Sequence, residues 1–351
     1  MDTAAEKDIF AAAEAVLRMY GFAGEFTLYK VYISQTDRTD YYKLIFSVEL
    51  NGGGRLIIKL LNEDKDAAEE RKKIECQSLF SECMRRNGIN TPVRYQADGR
   101  YCNEFVFMER TLNATVEDWC GDEITEITED GARRIGELMA RMHCISLENE
   151  CRIGCGTLFS AAYWNDVDGF ERFSEIAADE RLDQNAVSQI RAEREKKLTR
   201  LREMWETLPK SAVQGDISIN NLADGEDGLI VFDYNNAGDE VLVSDLVMEG
   251  LLTAYEMELP AGVSEIYRER LFPAMLEGYL SVRTLNEAER AAAWEIYTLY
   301  HALWFSRVMY NEDSLEKRVA RGEYEAANRL LIEMLADITE QDDERFEGNG
   351  G

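Results

Sequence analysis

The chain has 351 residues, which is long enough for two domains. Its 45% hydrophobic and 30% charged residues are ordinary for a globular protein. Its 68 acids against 39 bases give a net charge of -29 at pH 7, which argues against nucleic acid and anionic membrane surfaces as partners, because both attract basic patches. The acidity suits a cationic or amine-bearing substrate, but solubility is the favoured explanation, since salt screens surface charges beyond about 8 Å.

The cysteines and the N-terminus indicate the compartment. Seven cysteines, an odd number, are scattered through apolar segments, which fits a reducing environment better than a disulfide framework. The first residues, MDTAAEKD, carry acids where a signal peptide needs basic residues, and no run of about eighteen apolar residues occurs. We therefore expect a cytoplasmic protein that does not span a membrane.

The first third of the chain predicts a helix followed by an antiparallel sheet. Between residues 4 and 20 the apolar side chains recur with the period of an amphipathic helix, which Gly21 ends. The strand-like runs TLYKVYI, YYKLIFSVEL and RLIIKLL follow, and the turn NGGG at 51–54 separates the last two. Lys59 lies inside the run LIIKLL, where a buried cation needs a partner.

The remaining pattern is mainly helical. A long helix is predicted over residues 63–89, and the segment YCNEFVFMER at 101–110 is strand-like. Amphipathic helical segments dominate beyond it. Residues 341–351 are polar, acidic and glycine-ended, so they predict a disordered tail.

The most informative stretch is AVQGDISINNLADGEDGLIVFDY, residues 212–234. Asp216 follows an apolar approach, Asn221 comes five residues later, and Asp233 ends a second apolar strand after a DGEDG turn. Phosphoryl transfer needs a carboxylate that aligns the attacking hydroxyl and oxygen ligands that hold magnesium on the phosphates. A hairpin with solvated acids in its turns is the alternative, but the spacing of all three residues favours phosphoryl transfer.

This stretch resembles the catalytic and metal loops of the aminoglycoside phosphotransferase and choline kinase superfamily, which has a protein-kinase-like fold. The family pattern is His-Gly-Asp, four residues, Asn, a turn, and two apolar residues before Asp and an aromatic residue. GDISINN and VFDY fit it, whereas Gln214 stands at the position of the histidine. The resemblance implies a two-lobed α+β fold, with a nucleotide-binding sheet lobe at 1–110, a mainly helical catalytic and acceptor-binding lobe at 111–340, and the tail at 341–351.

The resemblance also implies the site residues. Asp216 would be the catalytic base, and Asn221 and Asp233 would hold magnesium. Lys59 would bind the α and β phosphates of the nucleotide, paired with Glu75 on the long helix or with Glu82 as the competing choice. The backbone of Glu109 and Thr111 would hold the adenine edge. By the same resemblance His143 is a buried structural histidine, and Asp245 braces the catalytic loop through its backbone N–H groups.

The implied function is transfer of the γ-phosphoryl group of ATP or GTP, with magnesium, to a hydroxyl of a small molecule. Relatives act on choline, amino sugars or homoserine, so the acceptor stays open. The alternative is a degenerate kinase-like protein that binds a nucleotide or a partner without turnover. Two departures support it: Gln214, and a phosphate-covering loop at 34–40 that has no glycine. A protein kinase is less favoured, because no Ala-Pro-Glu segment follows VFDY.

Overall fold

The computed structural model describes residues 3–38, 41–62, 66–163, 168–341 and 344–347. Its strands are β1 (Phe26–Arg38), β2 (Tyr41–Leu50), β3 (Arg55–Asn62), β4 (Asn103–Phe107), β5 (Arg110–Asp118), β6 (Lys210–Val213), β7 (Leu222–Gly225), β8 (Gly228–Val231) and β9 (Gly238–Val241). Its α-helices are α1 (Thr3–Met19), α2 (Ala67–Arg86), α3 (Glu129–Glu148), α4 (Phe170–Ile176), α5 (Gln184–Met204), α6 (Leu242–Tyr255), α7 (Leu271–Val282), α8 (Glu287–Leu303), α9 (Leu315–Ala320) and α10 (Tyr324–Thr339).

The chain divides into two compact units. The first comprises Met1–Glu123, Arg152–Cys155 and Leu222–Asn235, and the second comprises Ile124–Cys151, Gly156–Asn221 and Asn236–Gly351. The predicted α+β class is confirmed, since one unit is built on an antiparallel sheet and the other is mainly helical. Within the described residues, no helix has the length and apolarity needed to cross a bilayer.

The first unit is built on a five-stranded sheet in the order β1-β2-β3-β5-β4, in which all neighbours are antiparallel. Apolar residues of α1, such as Ala13 and Val16, pack with Phe46 and Ile58 of the sheet in one core, so the amphipathic face predicted for α1 is the buried one. The β7–β8 hairpin belongs to the same unit. Strand β3 lies in the middle of the sheet, which is why Lys59 is almost completely buried.

The structure corrects two predicted boundaries, the end of the sheet lobe at residue 110 and the start of the tail at residue 341. The sheet continues through β5, so the predicted boundary after residue 110 falls inside the β4–β5 hairpin. The expected tail contains a short 3-10 helix, Glu344–Phe346, and Phe346 is fully buried against Phe272 and Trp294, which corrects the expectation of disorder for that part. Of the glycine-free loop predicted at 34–40, positions 39 and 40 lie outside the described residues.

The second unit is organised by helices that pack very closely. Helices α3 and α7 cross at two glycines: a Cβ at Gly136 would lie 1.9 Å from the carbonyl oxygen of Met275, and one at Gly278 would lie 2.0 Å from that of Arg133. Helix α6 is buried at nearly every position, including the polar residues Asp245, Glu249 and Thr253. Polar groups inside such a helix cost folding free energy unless they are paired.

Glu240 on β9 gives a pH-dependent prediction. It is 3% exposed, and burial raises the pKa of its carboxyl to about 7 even though its side chain accepts a hydrogen bond from the N–H of Val241. Because the pKa is higher in the folded state, this group lowers the free energy of unfolding as the pH rises from about 4.5 to about 7, by roughly 3 kcal/mol. We expect the free energy of unfolding of Glu240→Gln, measured by urea denaturation at pH 4.5 and at pH 8, to lack this decrease. The same decrease in the wild type and in the variant would contradict the prediction.

Candidate active site

The predicted catalytic loop lies in the second unit and follows β6. Gly215 has a φ of 73°, and a Cβ there would lie 2.7 Å from the carbonyl oxygen of Asn236, so the tight turn requires glycine at this position. Strand β6 pairs antiparallel with β9, with Val213 opposite Gly238. This register brings the segment just before β9 to the loop just after β6, and Asp216 thereby meets Asn236.

Hydrogen bonds fix the carboxylate of Asp216. Its Oδ1 accepts from the hydroxyl of Ser218 at 3.1 Å, and its Oδ2 accepts from the Nδ2 of Asn236 at 3.0 Å. The two donors hold this carboxylate in one orientation. Neither Ser218 nor Asn236 was predicted from the sequence. The contact of Asn236 depends on the β6–β9 register, which the sequence does not show.

Two amides complete the loop. Gln214, at the position of the family histidine, is 3% exposed, and its Oε1 accepts from the N–H of Asp216 at 2.8 Å. Asn221 ends a short 3-10 helix, Ile219–Asn221, and its Nδ2 donates to the carbonyl of Asp216 at 2.8 Å. This bond leaves the Oδ1 of Asn221 as the end of the side chain that can ligate a cation.

Buried polar side chains connect α6 to α3 and α7. His143 on α3 contacts the Oδ2 of Asp245 through its Nε2 at 3.0 Å, and its Nδ1 lies 2.8 Å from the hydroxyl of Tyr279 on α7. His143 is thus the buried, satisfied histidine that the sequence predicted. Asp245 pairs with it within the described residues, whereas the expected hydrogen bonds from the catalytic-loop N–H groups are not formed.

The first unit contains the second group of predicted residues. The Nζ of Lys59 lies 3.3 Å from the Oδ1 of Asp233 and 3.0 Å from the Oε1 of Glu117 on β5. The other oxygen of Glu117 lies 3.0 Å from the Nε of Arg94, whose guanidinium donates to the hydroxyl of Ser78 on α2. The four charged groups balance, two positive against two negative.

The electrostatics keep both members of the Lys59–Asp233 pair charged. Burial alone would lower the pKa of Lys59, but the carboxylates of Asp233 and Glu117 outweigh it, and the pKa lies above its ordinary value. Burial would raise the pKa of Asp233, but Lys59, Lys43 and Arg94 outweigh it, and this pKa lies below its ordinary value. Asp233 also adopts a φ of 54°, a strained conformation that is common at functional sites.

The predicted partner of Lys59 was wrong. Glu75 accepts from the backbone N–H groups of Tyr101 and Cys102, at 2.9 and 3.0 Å, and Glu82 pairs with Arg85 and Arg86 on its own helix. Lys59 stands opposite Thr115 in the β3–β5 register, so Glu117, two residues further, is its diagonal neighbour on the same face. The sequence offered one signal for this pairing: Glu117 is the single glutamate of β5, the strand that pairs with the lysine-bearing β3.

The predicted hinge at Glu109 and Thr111 is instead part of a β-hairpin. Met108 and Glu109 both have positive φ, 47° and 63°, as the two central residues of a tight hairpin turn do, and β4 pairs directly with β5. Glu109 and Thr111 are exposed at this turn. The chain leaves the sheet only after Asp118, at the end of β5.

The described residues contain no group of three or more His, Cys, Asp or Glu side chains that could hold a metal ion by themselves. Asn221 and Asp233 offer an amide oxygen and an ionised carboxylate, which are hard oxygen ligands of the kind that Mg²⁺ accepts together with substrate phosphates. The donor chemistry therefore fits magnesium that arrives with a nucleotide.

The fold is shared with known enzymes. The alignment with an amicoumacin kinase, solved in complex with AMP-PNP, Ca²⁺ and Ami, covers 97% of this chain and 99% of that one, with 14% identity and a TM-score of 0.56. A microcompartment-associated aminopropanol kinase aligns over 94% of this chain and 95% of its own, with 14% identity and a TM-score of 0.55. A spectinomycin phosphotransferase, in complex with ADP and spectinomycin, aligns over 91% and 94%, with 11% identity and a TM-score of 0.48.

No family model and no curated protein matches the chain. The two structures with TM-scores above 0.5 align over nearly the full length of both chains, so the similarity is one of the whole fold. The chain therefore shares the α+β fold of these two kinases over nearly its whole length.

Proposed function

We propose that the protein is a magnesium-dependent phosphotransferase that moves the γ-phosphoryl group of ATP or GTP to a hydroxyl of a small molecule. The observation that carries this proposal is the Lys59–Asp233 pair at 3.3 Å, which joins two residues 174 positions apart in the sequence. One was predicted to bind phosphate and the other to bind metal, and both are held in their charged forms. Their contact is what a nucleotide-phosphate site requires.

Asp216 would orient and deprotonate the acceptor. The hydroxyl donates its hydrogen bond to the carboxylate, its oxygen forms the new bond to the γ-phosphorus, and the bond from that phosphorus to the bridging oxygen breaks. The proton passes to Asp216 and the electron pair leaves with the nucleoside diphosphate. Ser218 and Asn236 hold the carboxylate in one orientation throughout.

The charged groups of the first unit would act on the nucleotide. Lys59 contributes a positive charge for the phosphates, and Glu117 keeps its ammonium in place. Magnesium, bound through Asn221 and Asp233, would neutralise phosphate charge during transfer. The bound AMP-PNP and Ca²⁺ of the amicoumacin kinase support the use of a nucleotide and a divalent cation. The adenine edge would be held by main chain after β5, from Trp119 onward, instead of by Glu109 and Thr111.

The hydrogen bond of Gln214 favours an enzyme over a degenerate binder. The departure from histidine was the main argument for lost activity, and the glutamine amide braces the N–H of Asp216. The acid, the amide, the second acid and the lysine of the predicted site are all retained.

A thermal-shift panel tests the proposal. ATP and GTP are added with magnesium or with EDTA, and a nucleotide at 100 times its dissociation constant should stabilise the protein by about 2.7 kcal/mol. We expect a rise in the melting midpoint only with nucleotide and magnesium together, because Asn221 and Asp233 need the metal to engage the phosphates. Magnesium alone is the control, and the absence of a shift with every nucleotide would reject the phosphotransferase function.

A further inference from the structure

A second lysine lies on the face of the five-stranded sheet that carries Lys59. Side chains of β2 and β3 alternate between the two faces, and the even-numbered ones, such as Phe46 and Ile58, pack with α1 in the core. The odd-numbered side chains therefore lie on the opposite face, which is the face of Lys59. Lys43 is one of them, and it is half-buried.

The strand register places Lys43 next to Lys59 on this face. In the β2–β3 pairing Lys59 is opposite Ile45, and Lys43 is opposite Leu61. Lys43 is thus a diagonal neighbour of Lys59, with about 7–8 Å between the two positions. Glu117 of β5 has the same diagonal relation to Lys59 on the other side of β3, and its carboxylate lies 3.0 Å from the ammonium. Long side chains at this spacing can therefore act on one ligand.

Helix α2 covers the part of this face that belongs to β3 and β5. Leu61 packs with Ile74 of α2 in a small core, and Asn113 of β5 donates a hydrogen bond to Glu70 of the same helix at 2.6 Å. All four of these side chains are buried. Lys43 lies in the same row on β2 and is more exposed than any of them. The β2 end of the row is therefore the end that a ligand can reach.

Lys43 adds a positive charge beside a group of four side chains whose charges balance. In that group Lys59 and Arg94 are offset by Glu117 and Asp233. Lys43 lies close enough to Asp233 for its charge to lower the pKa of that carboxyl. The phosphates of a nucleoside triphosphate carry more negative charge than one magnesium ion neutralises, so a further cation on this face favours their binding.

The order of the rows along the sheet indicates which phosphate Lys43 would meet. Trp119, where the proposed contact with the base begins, donates its backbone N–H to the carbonyl of Arg55 at 2.8 Å, at the first residue of β3. Lys59 lies four residues further along β3, and Lys43 stands opposite Leu61, two residues beyond Lys59. Two residues advance a strand by about 7 Å. A nucleotide whose base lies at Trp119 and whose inner phosphates lie at Lys59 therefore directs its terminal phosphate towards Lys43.

We propose that Lys43 is a second phosphate-binding lysine, which contacts the terminal phosphate of the bound nucleoside triphosphate while Lys59 contacts the inner phosphates. The inference rests on the phosphotransferase function proposed above and adds to it a residue that distinguishes substrate from product. The diphosphate product lacks the group that Lys43 contacts. Lys43 therefore favours binding of ATP or GTP over retention of ADP or GDP after the transfer.

Isothermal titration of the full chain, with magnesium and without an acceptor, tests this inference. The probes are AMP-PNP and ADP, with GMP-PNP and GDP in parallel, because the imido nucleotides keep a terminal phosphate that is not transferred. We expect Lys43→Gln to weaken binding of the triphosphate analogue about tenfold or more, the usual effect of losing a hydrogen bond between charged groups, and to weaken binding of the diphosphate less than about threefold. Lys43→Arg should retain the preference for the triphosphate analogue, because the positive charge is kept.

Lys7→Gln is the matched control, because Lys7 is exposed on α1, which packs against the opposite face of the sheet. This variant should bind all four nucleotides as the wild type does. The melting midpoint without ligand shows whether each variant is folded. If Lys43→Gln does not fold, Lys43→Thr takes its place, since threonine is common in strands.

The outcomes separate this inference from the function on which it rests. Unchanged nucleotide binding in Lys43→Gln would overturn the inference and leave the phosphotransferase function standing. Equal weakening of the diphosphate and of the triphosphate analogue would overturn the assignment of Lys43 to the terminal phosphate, and so would a Lys43→Arg protein that loses the preference as completely as Lys43→Gln does. If the wild type binds none of the four nucleotides, the proposed function fails and this inference fails with it.

Discussion

Asp216→Asn is expected to reduce acceptor-dependent ADP release by about 10²- to 10⁴-fold, the usual contribution of a positioned acid–base group. The substitution keeps the shape of the side chain, and an amide at position 216 can still meet Ser218 and Asn236. It removes the only function that we give to this carboxylate, which is to receive the hydroxyl proton. Nucleotide affinity should therefore stay close to that of the wild type, because in the proposed function the phosphates are engaged by Lys59 and by magnesium.

The measurement is ADP release with the best acceptor of a panel of small hydroxyl compounds, together with the thermal shift on adding magnesium and nucleotide. Asp227→Asn, an exposed acid in the β7–β8 turn, is the control and should behave as the wild type. Acceptor-dependent turnover that is unchanged in Asp216→Asn would remove Asp216 from the catalytic role. A lost nucleotide shift in this variant would mean that Asp216 acts on the nucleotide instead.

Lys59→Met is expected to lower the free energy of unfolding by about 3–5 kcal/mol and to abolish the nucleotide-dependent thermal shift. The ammonium is shared by two carboxylates, and its side chain is 5% exposed, as is that of Glu117. Removing one member of a buried ion pair leaves an uncompensated charge, which is the costly case. Arg94 stays beside Glu117, and Asp233 is 28% exposed, so we expect the lower end of this range.

Urea denaturation measures the loss of stability, with Lys72→Met as the control, because Lys72 is 71% exposed and its ion pair with Glu69 is an exposed one. Adding Glu117→Gln to Lys59→Met should restore part of the stability, since the amide removes the unpaired charge and its oxygen can still accept from Arg94. The double variant should remain unable to bind nucleotide. If Lys59→Met is as stable as Lys72→Met, the ion pairs of Lys59 do not contribute the predicted free energy of unfolding.

The sequence was sufficient for features that depend on neighbours along the chain. Asp216, Asn221 and Asp233 lie within eighteen positions of each other, and the period-2 runs and turn residues around them specify the strands at whose ends they stand. Lys59 was chosen through its place in the family order, and its burial agrees with the expectation that a cation inside an apolar strand needs a partner. The α+β class was implied by the family resemblance, and it agrees with the change of hydrophobic period along the chain.

The predictions that the structure corrected, the partner of Lys59 and the hinge, depended on local geometry that the residue types do not indicate. Glu75 and Glu82 lie two turns apart on nearly the same face of α2, and the packing of that helix decides which neighbours each of them meets. The hinge was placed at Glu109 because FVFM looks like a strand that leaves the sheet. The chain turns there with positive φ at two residues, neither of which is glycine, and an Asn-Gly turn signal is absent.

Strand register decided the rest. Glu117 reaches Lys59 because β3 and β5 align Lys59 with Thr115, and Asn236 reaches Asp216 because β6 and β9 align Val213 with Gly238. Lys43 is one of three lysines in the strand-like runs TLYKVYI, YYKLIFSVEL and RLIIKLL, and it becomes distinct only when the β2–β3 register places it on the face of Lys59. A shift of one residue in a strand would carry each of these groups to a different neighbour without changing the sequence pattern, which is why only the tertiary structure could identify them.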